Sequence, residues 1–229
     1  MMIKDILNNV PAMLLLTIGA YLLGVWVKRK SKIALLHPFI ISIPVIIAVV
    51  KAFDISPEFY IQSNFIIDFM LGPCVVSLGY LLYRNRQTIR EHIIGIISAV
   101  LTGSIVGVVS VYVLCPILGL DELFILSLEA KSVTTPIAID ITKTIGGDIS
   151  LTAVSVIISG FIGALIGPTA LKLFGIKDPV AKGLAMGCSS HGLGTARAVE
   201  IGAIEGAVSG LSIALMGIVT AIFIPIFNS

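Results

Sequence analysis

Charge is scarce in this sequence: 12% of its 229 residues are Asp, Glu, Lys or Arg, 57% are hydrophobic, and the mean hydropathy is +1.08. A soluble domain of this length needs far more polar surface to cover its core, so that class is excluded. Alternation of apolar and polar residues is also missing, which excludes a β-barrel. The net charge is only +2 and the basic residues sit in short loops, so a nucleic-acid partner is excluded as well. Cysteine is sparse: Cys74, Cys115 and Cys188 are widely spaced among apolar or small residues. They offer neither a disulfide framework nor metal-ligand spacing, and read as small hydrophobes in packed helices. No activated nucleophile, metal-ligand cluster or phosphate loop is visible, so neither an enzyme nor a cofactor is expected.

What the chain does contain is long apolar runs, at about 10–27, 33–50, 65–83, 93–114, 149–171 and 205–227. Each is long enough to cross a hydrocarbon core of about 30 Å, the shorter ones marginally. The first reads as a retained helix rather than a signal peptide. Lys4 and Asp5 leave its leading region without net charge, and four basic residues, Lys28, Arg29, Lys30 and Lys32, follow it. That cluster marks one cytoplasmic loop, and Arg84, Arg86 and Arg90 mark another. Lys51 with Asp54 and Glu58, and the loop with Asp121 and Glu122, read as external. Lys172, Lys177 and Lys182 then return to the cytoplasmic side only if 124–147 enters and leaves by one face.

The expected fold is therefore an all-α polytopic membrane protein, with about six full transmembrane helices plus two re-entrant or broken helical hairpins. The alternative is eight full crossings with two broken helices. A single integral membrane domain over 1–229 is expected, with a four-helix part at 1–114 and two hairpin-plus-helix units at 124–174 and 183–227. A weak repeat accompanies this. Shifting 132–168 by 57 residues lays Ser132 on Ser189, Ser155 on Ser212, Gly160 on Gly217, Ala164 on Ala221 and Pro168 on Pro225, and Asp148 falls on Glu205. One hairpin plus one span per unit makes the units inverted in topology, a recurrent transporter plan.

Two polar segments, 129–147 and 183–206, interrupt the apolar chain. Ionisable groups inside a membrane are costly and mark pathways or sites. Thr135 before Pro136 is a helix-start signal, and Gly146-Gly147 a stop. The helix between them spans about 15 Å, half the hydrocarbon depth, and aims free N–H groups toward the midplane. Thr195 is expected to cap a second short helix through Arg197 and Glu200, with Gly192 and Gly194 making the turn before it. Two such N-termini make an anion site. The pairs Gly103/Gly107 and Gly163/Gly167 read as ordinary close helix packing, and Gly202, Gly206 and Gly210 continue that theme.

Within these segments Ser132, Thr134, Ser189 and Ser190 are the leading candidates for polar substrate contacts. Arg197 either forks onto a carboxylate or pairs with Glu200 or Asp140. Lys131 and Glu129 form an internal pair or face substrate. Glu129, Asp140 and Glu200 are candidate proton carriers, the latter two alternatively structural partners of Lys143 or Arg197. His191 is either a proton switch or a histidine satisfied by backbone. Asp68 reads as interfacial, while His37, Pro38 and Pro44 bend the second span.

The runs Leu71–Tyr83, Lys131–Ala138 and His191–Ala198 resemble the LrgB/CidB family, and the likeness covers nearly the whole chain. The first run departs from the family's usual Ala-Thr at Cys74-Val75. The resemblance implies a bacterial cytoplasmic membrane protein, called antiholin-like, linked with a smaller holin-like partner of the LrgA/CidA type to murein hydrolase control and lysis. It also implies a small carboxylate as substrate: a plastid relative exports glycolate and glycerate, and bacterial pairs are implicated in pyruvate uptake. A proton-coupled carrier of glycolate, glycerate, pyruvate or lactate is thus the leading expectation. Its site is expected to be built from Lys131, Ser132, Thr134, Thr135, Ser189, Ser190, His191, Gly192, Gly194, Thr195 and Arg197. An antiholin-like regulator is the alternative, with a second copy of the chain as a further possible partner. Cysteine-accessibility labelling across 121–123 and 146–148 tests the hairpin: labelling of both stretches from one side is expected, and labelling from opposite sides makes the segment a full crossing.

Overall fold

The computed structural model describes residues 9–31 and 38–228. Lys4, Asp5, Lys32 and His37 lie outside the described residues, as do the side chains of Asp68, Cys74 and Val75. Among the described residues all regular structure is helical. The chain forms two compact units, Met1–Val75 and Val76–Ser229.

In the first unit, α1 (Val10–Ser31) packs along α2 (Pro38–Ala52), followed by the short α3 (Pro57–Ser63) and the start of α4 (Phe65–Arg84). Asn9 Oδ1 accepts from Ala12 N–H at 2.9 Å and starts α1, while Lys28, Arg29 and Lys30 fill its last turn, where cations suit the helix dipole. Gly24 is required where α1 meets α2, because a Cβ there would strike the Pro38 backbone. Pro38 is thus the buried first residue of α2, and Pro44 lies within it. Thr17 hydrogen-bonds Tyr60 at 2.6 Å and donates to Asn64 Oδ1 at 2.9 Å, tying α1 to the α3 region.

The second unit continues through α5 (Arg86–Glu91), α6 (Ile93–Ile117), α7 (Glu122–Leu128), α8 (Thr135–Ile145), α9 (Ile149–Leu173), α10 (Pro179–Ile201) and α11 (Ala203–Phe227). Among the described residues four helices, α1, α6, α9 and α11, are long and apolar enough to cross a membrane; α2 is apolar but only 15 residues long. On α6 the residues Ile96, Val100, Ser104, Val108, Val111 and Cys115 are buried, while Ile94, Ile97, Leu101, Ile105, Val109 and Val113 are exposed. The spacing of three and four residues puts the buried set on one stripe. An apolar helix with a bare apolar face fits a lipid surround, where both faces are hydrophobic.

The interior is assembled from close approaches. α11 packs most extensively on α10, and α10 also packs on α9. Gly183 and Gly187 of α10 lie against the backbone of Glu205 and Ser209 on α11. Gly160, Gly163 and Gly167 of α9 receive His191, Ser190 and Met186 in turn. The pairs Gly103/Gly107 and Gly163/Gly167 are thus close-packing positions, as expected of small residues between helices. Asp148 caps α9 by accepting from Leu151 N–H at 2.8 Å, and Asp178 caps α10 through Ala181 N–H at 2.7 Å.

Replacing Gly187 by Val forces α10 off α11, because even a Cβ meets Ser212 Oγ and the Ser209 carbonyl. Thermal unfolding in detergent should show a loss of about 1–3 kcal/mol, the usual cost of overpacking. Gly95→Ala, where a Cβ meets nothing within 4 Å, should leave the melting temperature unchanged or slightly raised.

Candidate functional site

Both polar segments are broken in the structure. In the first, α7 stops at Leu128, residues 129–134 form turns, and α8 starts at Thr135. Thr134 is the N-cap residue, one earlier than the sequence signal indicates, and its hydroxyl makes no capping bond; Pro136 lies in the first turn and Gly146 ends the helix with φ +82°. The far end of α8 returns to α7: Gly147 packs on the Leu126 carbonyl, and Asp148 N–H donates to Ser127 Oγ at 2.8 Å. Thr152 Oγ1 donates to the Ser127 carbonyl and to Thr142 Oγ1, at 2.8 and 2.9 Å. The chain from Ser127 to Asp148 therefore closes on itself through a hydroxyl cluster.

In the second segment the reversal falls at His191, whose φ of +38° and ψ of −125° break α10 into two arms. Gly194 packs against Met186 and Ser190, eight and four residues earlier, which an unbroken helix rising about 1.5 Å per residue does not allow. This corrects the expected geometry. Gly192 and Gly194 do not make the turn, and Thr195 does not cap the returning arm. Thr195 lies inside that arm, buried, sharing a 2.7 Å hydrogen bond with Ser209 of α11. Gly192 is exposed beside the turn. The strained backbone at His191 is held by its surroundings: Nε2 lies 3.0 Å from the Val156 carbonyl, and the imidazole fills the space beside Gly160 where a Cβ would collide with it. His191 is the histidine satisfied by backbone.

The two breaks meet one helix. Ser132 lies against Gly107 and Cys188 against Gly103, so that a Cβ on either glycine would sit 3.4 Å from Ser132 Oγ or 3.5 Å from Cys188 Cβ. Four residues of α6 separate these contacts, about 6 Å along its axis, and they flank its midpoint. A groove of about 570 Å³ runs from there between α6 and the first arm of α10. Ser98 and Thr102 are its hydroxyls, and Leu184 and Val106 belong to its apolar wall.

The ionisable candidates separate. Lys131 is not paired with Glu129. Its Nζ donates to the Gly107 carbonyl at 2.8 Å and to Ser110 Oγ at 3.3 Å, pinning the first break to α6. Glu129 is 1% exposed; Oε2 accepts from Asn228 Nδ2 at 2.8 Å, and Oε1 has no partner. Tyr112 Oη donates to Asn228 Oδ1 at 2.8 Å, and the Tyr112 ring meets Phe227 edge-on, with centroids 5.1 Å apart. Asp140 and Glu200 are exposed, not buried. They pair with Lys143 (3.7 Å) and with Arg197, the structural partners that the sequence offers as the alternative. Arg197 stands about 9 Å along its arm from His191 by helical rise, beside Lys172 and Lys182, apart from Lys131 and Ser132. Ser189 donates to the Ala185 carbonyl at 2.7 Å and shares a 2.8 Å bond with the buried Ser190.

Asn228, Tyr112 and the buried pair Ser104–Thr220 (3.1 Å) were not anticipated. Single hydroxyls in apolar spans carry no local signal, and Asn228 becomes meaningful only when the chain end reaches Glu129. Among the described residues no group of His, Cys, Asp and Glu is arranged to hold a metal ion.

No solved structure matches the chain. It is 36% identical over 213 residues to the uncharacterized protein YxaC of Bacillus subtilis, covering 93% of each chain. To the antiholin-like protein LrgB of the same organism it is 32% identical over 215 residues, and to the holin-like protein CidB of Staphylococcus epidermidis 32% over 214, again with 93% of each chain covered. The model of the LrgB-like family matches residues 17–229, and the chain belongs to that family.

Proposed function

We propose that this protein is an antiholin-like membrane protein that works with a holin-like partner to restrain murein hydrolase activity and lysis. The observation that carries this reading is the likeness, across 93% of the chain, to relatives named antiholin-like and holin-like. In this reading the protein is a multi-pass component of the bacterial cytoplasmic membrane. α1, α2, α4, α6, α9 and α11 cross, while the α7–α8 segment and the two arms of α10 enter and return from opposite faces as inverted units. No catalytic step is part of the proposal. Cells lacking the protein should lyse sooner and show stronger extracellular murein hydrolase bands on zymograms, both reversed by the wild-type chain. Unchanged lysis and zymograms, with the holin-like partner present, count against the role.

A second reading is favoured by the two broken helices that meet the middle of α6 and by the buried, half-satisfied Glu129. Broken helices with free backbone groups are the usual device for binding small solutes at mid-membrane. We read Ser132, Ser189 and Ser190 as the polar contacts for a small hydroxy- or oxo-carboxylate, with Glu129 as the proton-carrying group. Glu129→Gln keeps an oxygen for Asn228 but removes the titration. Proteoliposomes should show saturable uptake of labelled glycolate or pyruvate, accelerated by an inward proton gradient in the wild type and insensitive to it in Glu129→Gln. Lack of uptake of any small acid with the partner present leaves regulation as the function. Uptake with unchanged gradient dependence removes Glu129 from coupling.

A further inference from the structure

Where α9 ends, four cations converge on one concavity. Lys172 belongs to the last turn of α9, Lys177 to the connection that follows, Lys182 to the start of α10 and Arg197 to its returning arm. The pocket holds about 470 Å³ over an apolar floor that includes Pro168 and Ile201. Arg197 is matched by Glu200. Lys172, Lys177 and Lys182 have no carboxylate at ion-pair distance among the described residues, and the nearest acid in sequence, Asp178, turns its Oδ1 to the N–H of Ala181. Three ammonium groups gathered without counter-ions repel one another and create a positive potential that an anion relieves.

The surroundings decide which anion. Ile158, Ile162, Ile166 and Leu173 are exposed and fall four or seven residues apart, which sets them along one face of α9, next to the side that carries Lys172. Phe174 is also exposed beside Lys172. A soluble anion gains nothing from that apolar line. A phospholipid can lay its acyl chains along it while the lysine stems reach toward the phosphate. We propose that Lys172, Lys177, Lys182 and Arg197 form a binding site for the phosphate headgroup of an anionic phospholipid whose chains run along the exposed face of α9. Basic pockets between helices at a membrane face take such headgroups. Because Arg197 rides on the returning arm, the bound lipid links the end of α9 to the position of that arm. The inference holds whether the protein regulates lysis or carries a solute.

The test is thermal unfolding of the full chain in detergent with phosphatidylglycerol, phosphatidylcholine or inorganic phosphate added. Phosphatidylglycerol alone should raise the melting temperature by several degrees. K172Q/K177Q/K182Q should lose that shift and K172R/K177R/K182R keep it. Equal shifts with phosphatidylcholine overturn the proposal, since the headgroup charge is then not read. A comparable shift with inorganic phosphate reassigns the pocket to a soluble anion, and an undiminished shift in the glutamine variant puts the lipid elsewhere. Should the glutamine variant not fold, native mass spectrometry of the wild-type chain decides: preferential retention of phosphatidylglycerol supports the site, and equal retention of both lipids overturns it.

Discussion

Within Val76–Ser229 everything depends on how closely the first arm of α10 can be approached from both sides. Ionisable and irregular backbone survives in an apolar bundle only when protein closes around it. Glycine provides that closeness here. Gly160, Gly163 and Gly167 on α9 leave room for His191, Ser190 and Met186, while Gly183 and Gly187 bring the arm onto the backbone of α11. The hydrophobic effect between helices is weak in lipid, so packing and interhelical hydrogen bonds must hold the assembly. At Gly160 the closeness also allows a polar contact: the His191–Val156 bond forms where Gly160 has no side chain in the way.

The same economy governs the first break. A lysine inside a membrane protein costs about 2.5–3.5 kcal/mol on insertion scales and is normally answered by a carboxylate or by carbonyls. Lys131 takes the second route, through Gly107 and Ser110. This leaves Glu129 to be answered from elsewhere, and the answer comes from Asn228 at the far end of the chain, about a hundred residues away in sequence. The last helix is thereby secured to the first break as well as to α10. A hydrogen bond of this kind, worth about 0.6 kcal/mol on average between membrane helices, fixes geometry more than it adds stability.

Much of the fold was legible because the signals were local. Long apolar runs gave α1, α6, α9 and α11, and Thr135-Pro136 with Gly146-Gly147 bounded α8 to within one residue. What was not legible depended on facing. An apolar helix in lipid shows no hydrophobic stripe, so nothing in 93–117 reveals that Ser104 points inward and Ile105 outward. The turn at His191 was misplaced onto Gly192 and Gly194 for a related reason. Glycine is the usual residue for a positive φ, yet here tertiary packing forces a histidine into it and uses Gly194 for closeness. Asp140 and Glu200 read as buried because their neighbours in sequence are apolar, but each finds a basic partner three residues away on the outer face of a short helix.

Glu129, Asp140 and Glu200 thus fall into two physical kinds. A charge on an exposed i,i+3 pair is answered locally, and such surface ion pairs contribute at most about 1 kcal/mol. Glu129 is different because it is buried beside Tyr112, its Oε2 accepts only from Asn228, and no Lys or Arg among the described residues lies at ion-pair distance from it. Adding a proton there removes a buried charge but leaves the bond from Asn228 possible, while removing it places a charge against Tyr112, Asn228 and the end of α11. The groups around it belong to α6, through Tyr112, and to the end of α11, through Asn228; α6 also receives Lys131 at Gly107 and meets Cys188 at Gly103, and α11 meets Thr195 at Ser209. Glu129 thus sits against the two helices that both breaks also touch.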